Sequence, residues 1–189
     1  DNQDIVVDYG KTLAKYEKNQ EAVDVFNKAL SIDSTNADAH CALADTYMKD
    51  KEYDKAILEY QKASQLVPDN ESVLIKLGNA YKAKSETKNA LNMYQKVIFK
   101  NLKNTDAMFN AGLCYAELND NNNAIKSFKN VIAIDPNYAY AYYALGMAYE
   151  NEKNYPESIA NYEKFMTLTD DNETKAQVKN QIEYLKNKK

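Results

Sequence analysis

Apolar and small residues recur along the chain at the spacing of one face of an α-helix, about 100° per residue. The clearest stretch is 105–138, where Gly112 and Tyr115 come before a polar turn and Ala124 and Phe128 come after it. Small residues on facing helices allow a close approach, and the aromatic side chains then fill the space beside the contact. This stretch therefore predicts a hairpin of two amphipathic helices.

The same pattern returns every 34 residues in both directions from this hairpin. Aromatic residues occupy position 24 of each copy, small residues occupy position 20, and all four glycines of the chain fall on position 8. The copies are 3–36, 37–70, 71–104, 105–138 and 139–172, and the glycines are Gly10, Gly78, Gly112 and Gly146. A sustained period of this length predicts an array of stacked helical hairpins.

The order Gly-x-x-Tyr, then Ala-x-x-x-Phe/Tyr, then a closing proline resembles the tetratricopeptide repeat, or TPR. Pro68 and Pro136 hold the closing position in two of the copies. The resemblance implies an all-α fold, a right-handed superhelical solenoid of five TPR helical hairpins plus a C-terminal capping helix. The implied units are TPR 1 at 3–36, TPR 2 at 37–70, TPR 3 at 71–104, TPR 4 at 105–138, TPR 5 at 139–172 and the capping helix at 173–189.

Each copy is expected to hold helix A over about its first fourteen positions and helix B from about the eighteenth to the thirty-first. The final segment, 173–189, carries one apolar stripe that includes Val178 and Ile182, as a terminal cap requires. The apolar run at 5–7 has no preceding repeat to cover it. We therefore expect the natural chain to continue upstream of Asp1.

The charge and the hydropathy of the chain argue against a nucleic-acid partner and against a membrane-spanning helix. Net charge is −4, and every basic residue is a lysine. Arginine is the side chain that binds phosphate and guanine through two parallel hydrogen bonds, and an acidic chain repels a phosphate backbone. We therefore expect no nucleic-acid partner. No window approaches the roughly 18 apolar residues of a membrane-spanning helix, so no membrane span is predicted.

Candidate chemistry is confined to the single histidine, His40, and its neighbour Cys41. With Asp38 and Asp45 they have the residue types that ligate metals. The alternative, a partly buried packing histidine, is favoured because no second histidine or Cys-x-x-Cys pair supports ligation. P-loop, GxGxxG and GxSxG motifs are absent from the sequence. We predict a protein that is not an enzyme, with no catalytic residue, no metal and no cofactor.

The resemblance also places positions 2, 5, 6 and 9 of each helix A on the inner groove, where TPR proteins bind peptides. These positions are rich in aspartate in the first two copies and largely apolar or aromatic in the last two. An alternative for Phe109 and Tyr143 is packing between neighbouring A helices. The predicted partner-binding residues are Asp38, Asp45, Asn79, Phe109, Asn110, Leu113, Tyr140, Tyr143 and Met147.

These features predict a protein–protein interaction scaffold that binds a peptide or helical segment of a partner in the groove. Asn79 and Asn110 suit the backbone of such a segment, because an amide side chain both donates and accepts hydrogen bonds. The acidic end favours a basic part of the partner, and the aromatic end favours an apolar part. Two alternatives stay open: an array that selects substrates for a larger enzyme, and a self-assembly module whose groove takes an element of a neighbouring copy.

Overall fold

A computed structural model describes residues 2–188, with side chains from residue 4 onward. This range holds eleven α-helices and no strand, which confirms the prediction of an all-α repeat fold with eleven helices. None of these helices combines the length and the apolar character needed to cross a membrane. The helices are α1 (Asn2–Lys15), α2 (Asn19–Ile32), α3 (Ala37–Lys49), α4 (Tyr53–Leu66), α5 (Glu71–Ala83), α6 (Thr87–Lys100), α7 (Thr105–Glu117), α8 (Asn121–Ile134), α9 (Ala139–Asn151), α10 (Tyr155–Leu168) and α11 (Asn172–Lys186).

The chain divides into two compact units, unit 1 (Asp1–Val97) and unit 2 (Ile98–Lys189), with the boundary inside α6. Within unit 1, each of α1 to α4 packs against the next helix in the chain, and α1 also contacts α3. Within unit 2, the same serial packing runs from α7 to α11. Each of these helices therefore buries its apolar stripe against its nearest neighbours, as expected of a repeat array.

Asparagine caps fix where the first helix of a hairpin begins. The side chains of Asn36, Asn70 and Asn104 accept hydrogen bonds from the third residue of α3, α5 and α7, respectively. An N-cap of this kind satisfies one of the free N–H groups of a helix start and stabilises it by about 1 kcal/mol. Tyr138 takes this place before α9 and makes no side-chain cap.

In every hairpin, one residue of the turn between the two helices has the left-handed backbone conformation. Its φ lies between 59° and 63° at Glu17, Lys51, Ser85, Asn119 and Lys153. Asparagine tolerates this conformation best among these residue types, because its short polar side chain bonds locally. In the Asn119 hairpin the next residue, Asp120, also caps α8 by accepting from the Asn123 N–H.

The glycines lie inside helices, where the partner helix comes closest. An added Cβ on Gly112 would lie 2.5 Å from Cε1 of Phe128, and one on Gly78 would lie 2.7 Å from Cε1 of Tyr94. Gly10 and Gly146 meet Phe26 and Tyr162 in the same way. In these four hairpins, position 8 is therefore restricted in size by the aromatic ring at position 24 of the same hairpin.

The two ends of the chain differ in how their apolar residues are covered. Val7 is buried in the core of unit 1, whereas Ile5 is 67% exposed, so the apolar run at 5–7 does not lie on one face. In unit 2, the buried stripe of α11 includes Val178 and Ile182 and packs in one cluster with Phe165. This final helix covers the apolar side of α10.

Candidate functional site

In unit 1, both aspartates predicted to bind a partner are already paired with lysines. Lys11 Nζ lies 2.5 Å from Asp38 Oδ2, and Lys76 Nζ lies 2.6 Å from Asp45 Oδ2. We call these four residues the charged face; they come from α1, α3 and α5. The predicted acidic surface is therefore a surface of matched charges, and its pull on a basic ligand is weaker than the sequence suggested.

Cys41 lies between the two ion pairs. It lines two adjoining cavities of about 350 Å³ and 310 Å³, which also share Asp38 and Lys76. Burial raises the pKa of its thiol from 9.0 to about 11. A thiol with a raised pKa is a poor nucleophile and a poor metal ligand near neutral pH, since the thiolate is the reactive form.

In two hairpins, a tyrosine hydroxyl of helix B donates a hydrogen bond to the residue at position 9 of helix A. In unit 1, Tyr60 donates to Asp45, and Tyr94 donates to Asn79 Oδ1 at 2.6 Å. Burial, followed by the Asp45 carboxylate, raises the pKa of Tyr60 above its usual range. Asn79 remains exposed, so its amide stays accessible at the surface.

In unit 2, Phe109 and Leu113 belong largely to the core. The Phe109 ring lies 5.7 Å from Phe128 and 5.1 Å from Tyr138, and Leu113 packs against the same cluster as Phe128. These contacts agree with the packing alternative for Phe109. Asn110 donates from Nδ2 to the Asp106 carbonyl at 2.9 Å, within its own helix.

Tyr140, Tyr143 and Met147 lie on α9; we call them the aromatic shelf. Tyr140 and Met147 are the predicted apolar residues that are most exposed. Tyr140 is 49% exposed and Met147 is 47% exposed. Tyr143 is half-buried, with its ring 5.2 Å from Phe165 and 5.8 Å from Tyr162. Tyr143 therefore supports the shelf from below, while the other two present apolar surface to solvent.

A cavity of about 320 Å³ opens beside the shelf, between α9, α10 and α11. We call it the Glu150 cavity, after the carboxylate in its wall. The residues that define it here are Tyr143, Met147, Glu150, Tyr162, Val178 and Gln181. Two of the predicted residues, Tyr143 and Met147, thus meet residues that sequence reasoning did not select.

Glu150 is the most informative of those missed residues. Its Oε1 accepts from Gln181 Nε2 at 2.6 Å, and its Oε2 accepts from the Tyr162 hydroxyl at 3.1 Å. Burial and then the charge of Glu150 raise the pKa of Tyr162 above its usual range. The sequence does contain one indication of this role, which is the methionine at position 147. A thioether is a poor hydrogen-bond acceptor, so the Tyr162 hydroxyl needs another partner.

The single histidine, His40, lies in the core and makes hydrogen bonds there. His40 is buried, with Nδ1 2.6 Å from Glu59 Oε2 and Nε2 3.1 Å from the Ser34 carbonyl oxygen. Glu59 Oε1 also accepts from Lys62 at 2.8 Å. Over the part of the chain that the structure describes, no three His, Cys, Asp or Glu residues cluster as metal ligands would.

Solved structures with similar folds cover nearly the whole chain. MamA is 26% identical over 89% of this chain and 96% of its own, with a TM-score of 0.80. YrrB, a TPR protein with an unusual peptide-binding site, is 24% identical over 93% of this chain and 90% of its own, with a TM-score of 0.79. PilF of Pseudomonas aeruginosa is 21% identical over 93% of this chain and 80% of its own, with a TM-score of 0.77.

Family models identify the repeats directly from the sequence. The model described as TPR repeat matches residues 10–51, 45–85 and 112–153, and the model described as Tetratricopeptide repeat matches 139–172. A search of curated proteins gives no match. Together the family models match well over half of the chain, so the sequence resemblance is confirmed. The chain belongs to the tetratricopeptide repeat family.

Proposed function

We propose that this protein is a non-catalytic interaction scaffold that binds a peptide or helical segment of a partner protein. The observation that carries the proposal is the aromatic shelf, where Tyr140 and Met147 expose apolar surface beside a concave cavity. Exposed apolar surface next to a cavity is typical of a contact site. YrrB gives a precedent, since it has this fold and is described as having an unusual peptide-binding site.

The apolar part of the partner segment would lie against the shelf. Tyrosine offers a large contact area with few rotatable bonds, and methionine adapts to irregular shapes. Tyr143 is held against Tyr162 and Phe165, so it keeps the shelf rigid and limits the entropy lost on binding. Asn110, on α7 of the same unit, is the candidate for hydrogen bonds to the partner backbone.

The test is binding of the labelled protein to an array of random-sequence peptides, before and after the double substitution Tyr140→Ala and Met147→Ala. Both side chains are about half exposed, so the fold is expected to tolerate their loss. Binding by the parent's preferred peptides should weaken by about 2 kcal/mol or more, since anchor residues of an interface carry most of its energy. Circular dichroism checks that the variant is folded.

Phe99→Ala is the matched control, because Phe99 is an aromatic residue of the same unit, is 87% exposed and does not line the Glu150 cavity. It should leave the selected peptides and their affinities unchanged. Equal affinity of the parent and the double variant for the same peptides would refute the aromatic shelf as a binding site.

A further inference from the structure

We propose that the Glu150 cavity accepts the cationic side chain, lysine or arginine, of a partner segment whose adjoining apolar residue lies on Tyr140 and Met147. This inference rests on the proposed function, because it names the chemistry of the segment that the shelf binds. It also moves the basic part of the partner from the aspartates of unit 1 to a carboxylate in unit 2.

The charge of Glu150 is uncompensated by any cation in contact. Both of its hydrogen-bond partners, Gln181 and Tyr162, are neutral donors. Among the described side chains, no lysine lies within ion-pair distance of its carboxylate. Each carboxylate oxygen accepts one of these bonds and has capacity for another. A cation that enters the cavity could therefore pair with the Glu150 carboxylate, whose position is fixed by these two hydrogen bonds.

The walls match the rest of a long basic side chain. Met147, Tyr143 and Val178 present apolar surface next to the carboxylate. Lysine and arginine have an aliphatic stem that packs on apolar groups while the charged end reaches a polar partner. A cavity of about 320 Å³ is at the small end of ligand pockets, which suits one side chain of a larger partner.

Lys188 lies near the helices that line the cavity, so it could compete with a ligand for Glu150. Its Nζ is 4.5 Å from the centre of the Tyr184 ring and 5.9 Å from that of Tyr155. The Tyr184 hydroxyl is the largest cause of the raised pKa of Lys188, and Glu150 is the smallest contributor. Lys188 is therefore engaged by the tyrosines, and the carboxylate stays open to a ligand.

The charged face of unit 1 is the less suitable site for a basic ligand. A ligand lysine there must displace Lys11 from Asp38 or Lys76 from Asp45, both at ion-pair distance. Such an exchange replaces one ion pair by another and gains little. At Glu150 the ligand adds an ion pair where none exists. Charge complementarity thus favours the cavity in unit 2.

The experiment uses two capped peptides, acetyl-Gly-Leu-Lys-Leu-Gly-amide and the same peptide with norleucine in place of lysine. Norleucine keeps the aliphatic stem and removes the charge. Each peptide is titrated into the whole protein carrying ¹³C-methyl methionine, and the Met147 signal is followed by NMR. We expect the lysine peptide to shift the Met147 signal with about fivefold higher affinity than the norleucine peptide. Met48 in unit 1 should not respond.

Glu150→Gln is the decisive variant, because glutamine keeps the size and an acceptor oxygen and removes the charge. The preference for lysine should disappear in this variant. Glu157→Gln removes the same charge from α10 outside the cavity and should preserve the preference. If Glu150→Gln does not fold, a salt titration of the parent replaces it, and the preference should fall as ionic strength rises.

Three results would overturn the inference. They are equal affinity of the parent for both peptides, a lysine preference that survives Glu150→Gln, and no shift of Met147 by either peptide. In the first case, binding of both peptides at Met147 leaves the proposed function standing. In the third, the random-peptide array with the Tyr140→Ala and Met147→Ala variant decides the proposed function on its own.

Discussion

Unit 1 and unit 2 differ in how the carboxylates beside their predicted binding residues are paired. In unit 1, Asp38 and Asp45 each contact a lysine from a neighbouring helix. In unit 2, the corresponding helix α9 carries Tyr140 and Met147, and its one carboxylate in the cavity contacts neutral donors. The same repeat thus gives a surface whose carboxylates are paired with lysines in one unit, and a surface whose carboxylate has neutral partners in the other.

The difference originates at position 9 of helix A, opposite the tyrosine at position 24 of helix B. Asp45 and Asn79 are acceptors for Tyr60 and Tyr94 at this position. Met147 cannot take that role, and the Tyr162 hydroxyl bonds to Glu150 instead. One change of residue type therefore exposes a thioether and fixes a carboxylate on the cavity wall.

The largest expected effect concerns the two cysteines, one in each unit. Because burial raises the pKa of Cys41 to about 11, its thiolate fraction near pH 8 should be about 100-fold below that of a thiol with a pKa of 9.0. Alkylation by iodoacetamide, followed by mass spectrometry, should therefore be slow at Cys41 and accelerate as pH rises towards 11. Cys114 is 0% exposed and should stay unmodified in the folded protein.

Cysteine alkylation in urea supplies the reference rate for both positions. A Cys41 rate in the folded protein equal to that reference would contradict its burial beside the charged face. Adding the lysine peptide should leave the Cys41 rate unchanged, because that peptide is expected to bind in unit 2. Protection of Cys41 by the peptide would break the comparison between the two units.

The next effect tests what the two units share. Gly78→Ala in unit 1 and Gly112→Ala in unit 2 would each place a Cβ within 2.7 Å of a buried ring. Overpacking of this kind costs about 1–3 kcal/mol, offset in part by a gain of up to about 1 kcal/mol in helix propensity. Denaturant unfolding should show a lower midpoint for both variants.

Ala44 provides the matched control, since the second hairpin already carries a Cβ at this position. Ala44→Gly relieves no overpacking and should cost about 1–2 kcal/mol, through helix propensity and the loss of one buried methyl group. Unchanged midpoints for Gly78→Ala and Gly112→Ala would show that the helices do not approach as closely as described. A loss in one unit only would show that the two cores are built differently.

The smallest effect concerns the charged face itself. Lys76→Gln removes the partner of Asp45 and should lower the free energy of unfolding by less than about 1 kcal/mol, because both side chains are partly exposed. Lys51→Gln, at an exposed turn residue outside the ion pairs described, is the control.

In the Lys76→Gln protein the lysine peptide should begin to protect Cys41 from alkylation. Protection that stays absent would mean that freeing a carboxylate does not by itself create a site.

The fold could be predicted because its main constraints are local to one hairpin. Gly112 and Phe128, for example, are sixteen residues apart in the chain and in contact, so one period of the sequence records both sides of the contact. The same register recurs at Gly78 and Tyr94. Repetition turned a weak pairwise signal into a strong one, and the family models agree with it.

The contacts of the candidate binding residues were harder to predict because they join different hairpins. The pairing of Lys11 with Asp38 depends on the distance between α1 and α3, which the residue pattern does not encode. Glu150 lies outside the positions assigned to the groove, and Gln181 comes from the final helix, which leaves the repeat register. Phe109 occupies a groove position and is nevertheless held by the rings of Phe128 and Tyr138.

The left-handed turns have a consequence for the order in which the chain folds. A residue with a Cβ pays about 1–2 kcal/mol to adopt that conformation, and in four of the five turns the left-handed residue is neither asparagine nor glycine. The hairpin 105–138 combines Asn119 in its turn with side-chain caps from Asn104 and Asp120 on both of its helices. Local sequence therefore favours this hairpin as the nucleus of unit 2, onto which α9, α10 and α11 would then grow.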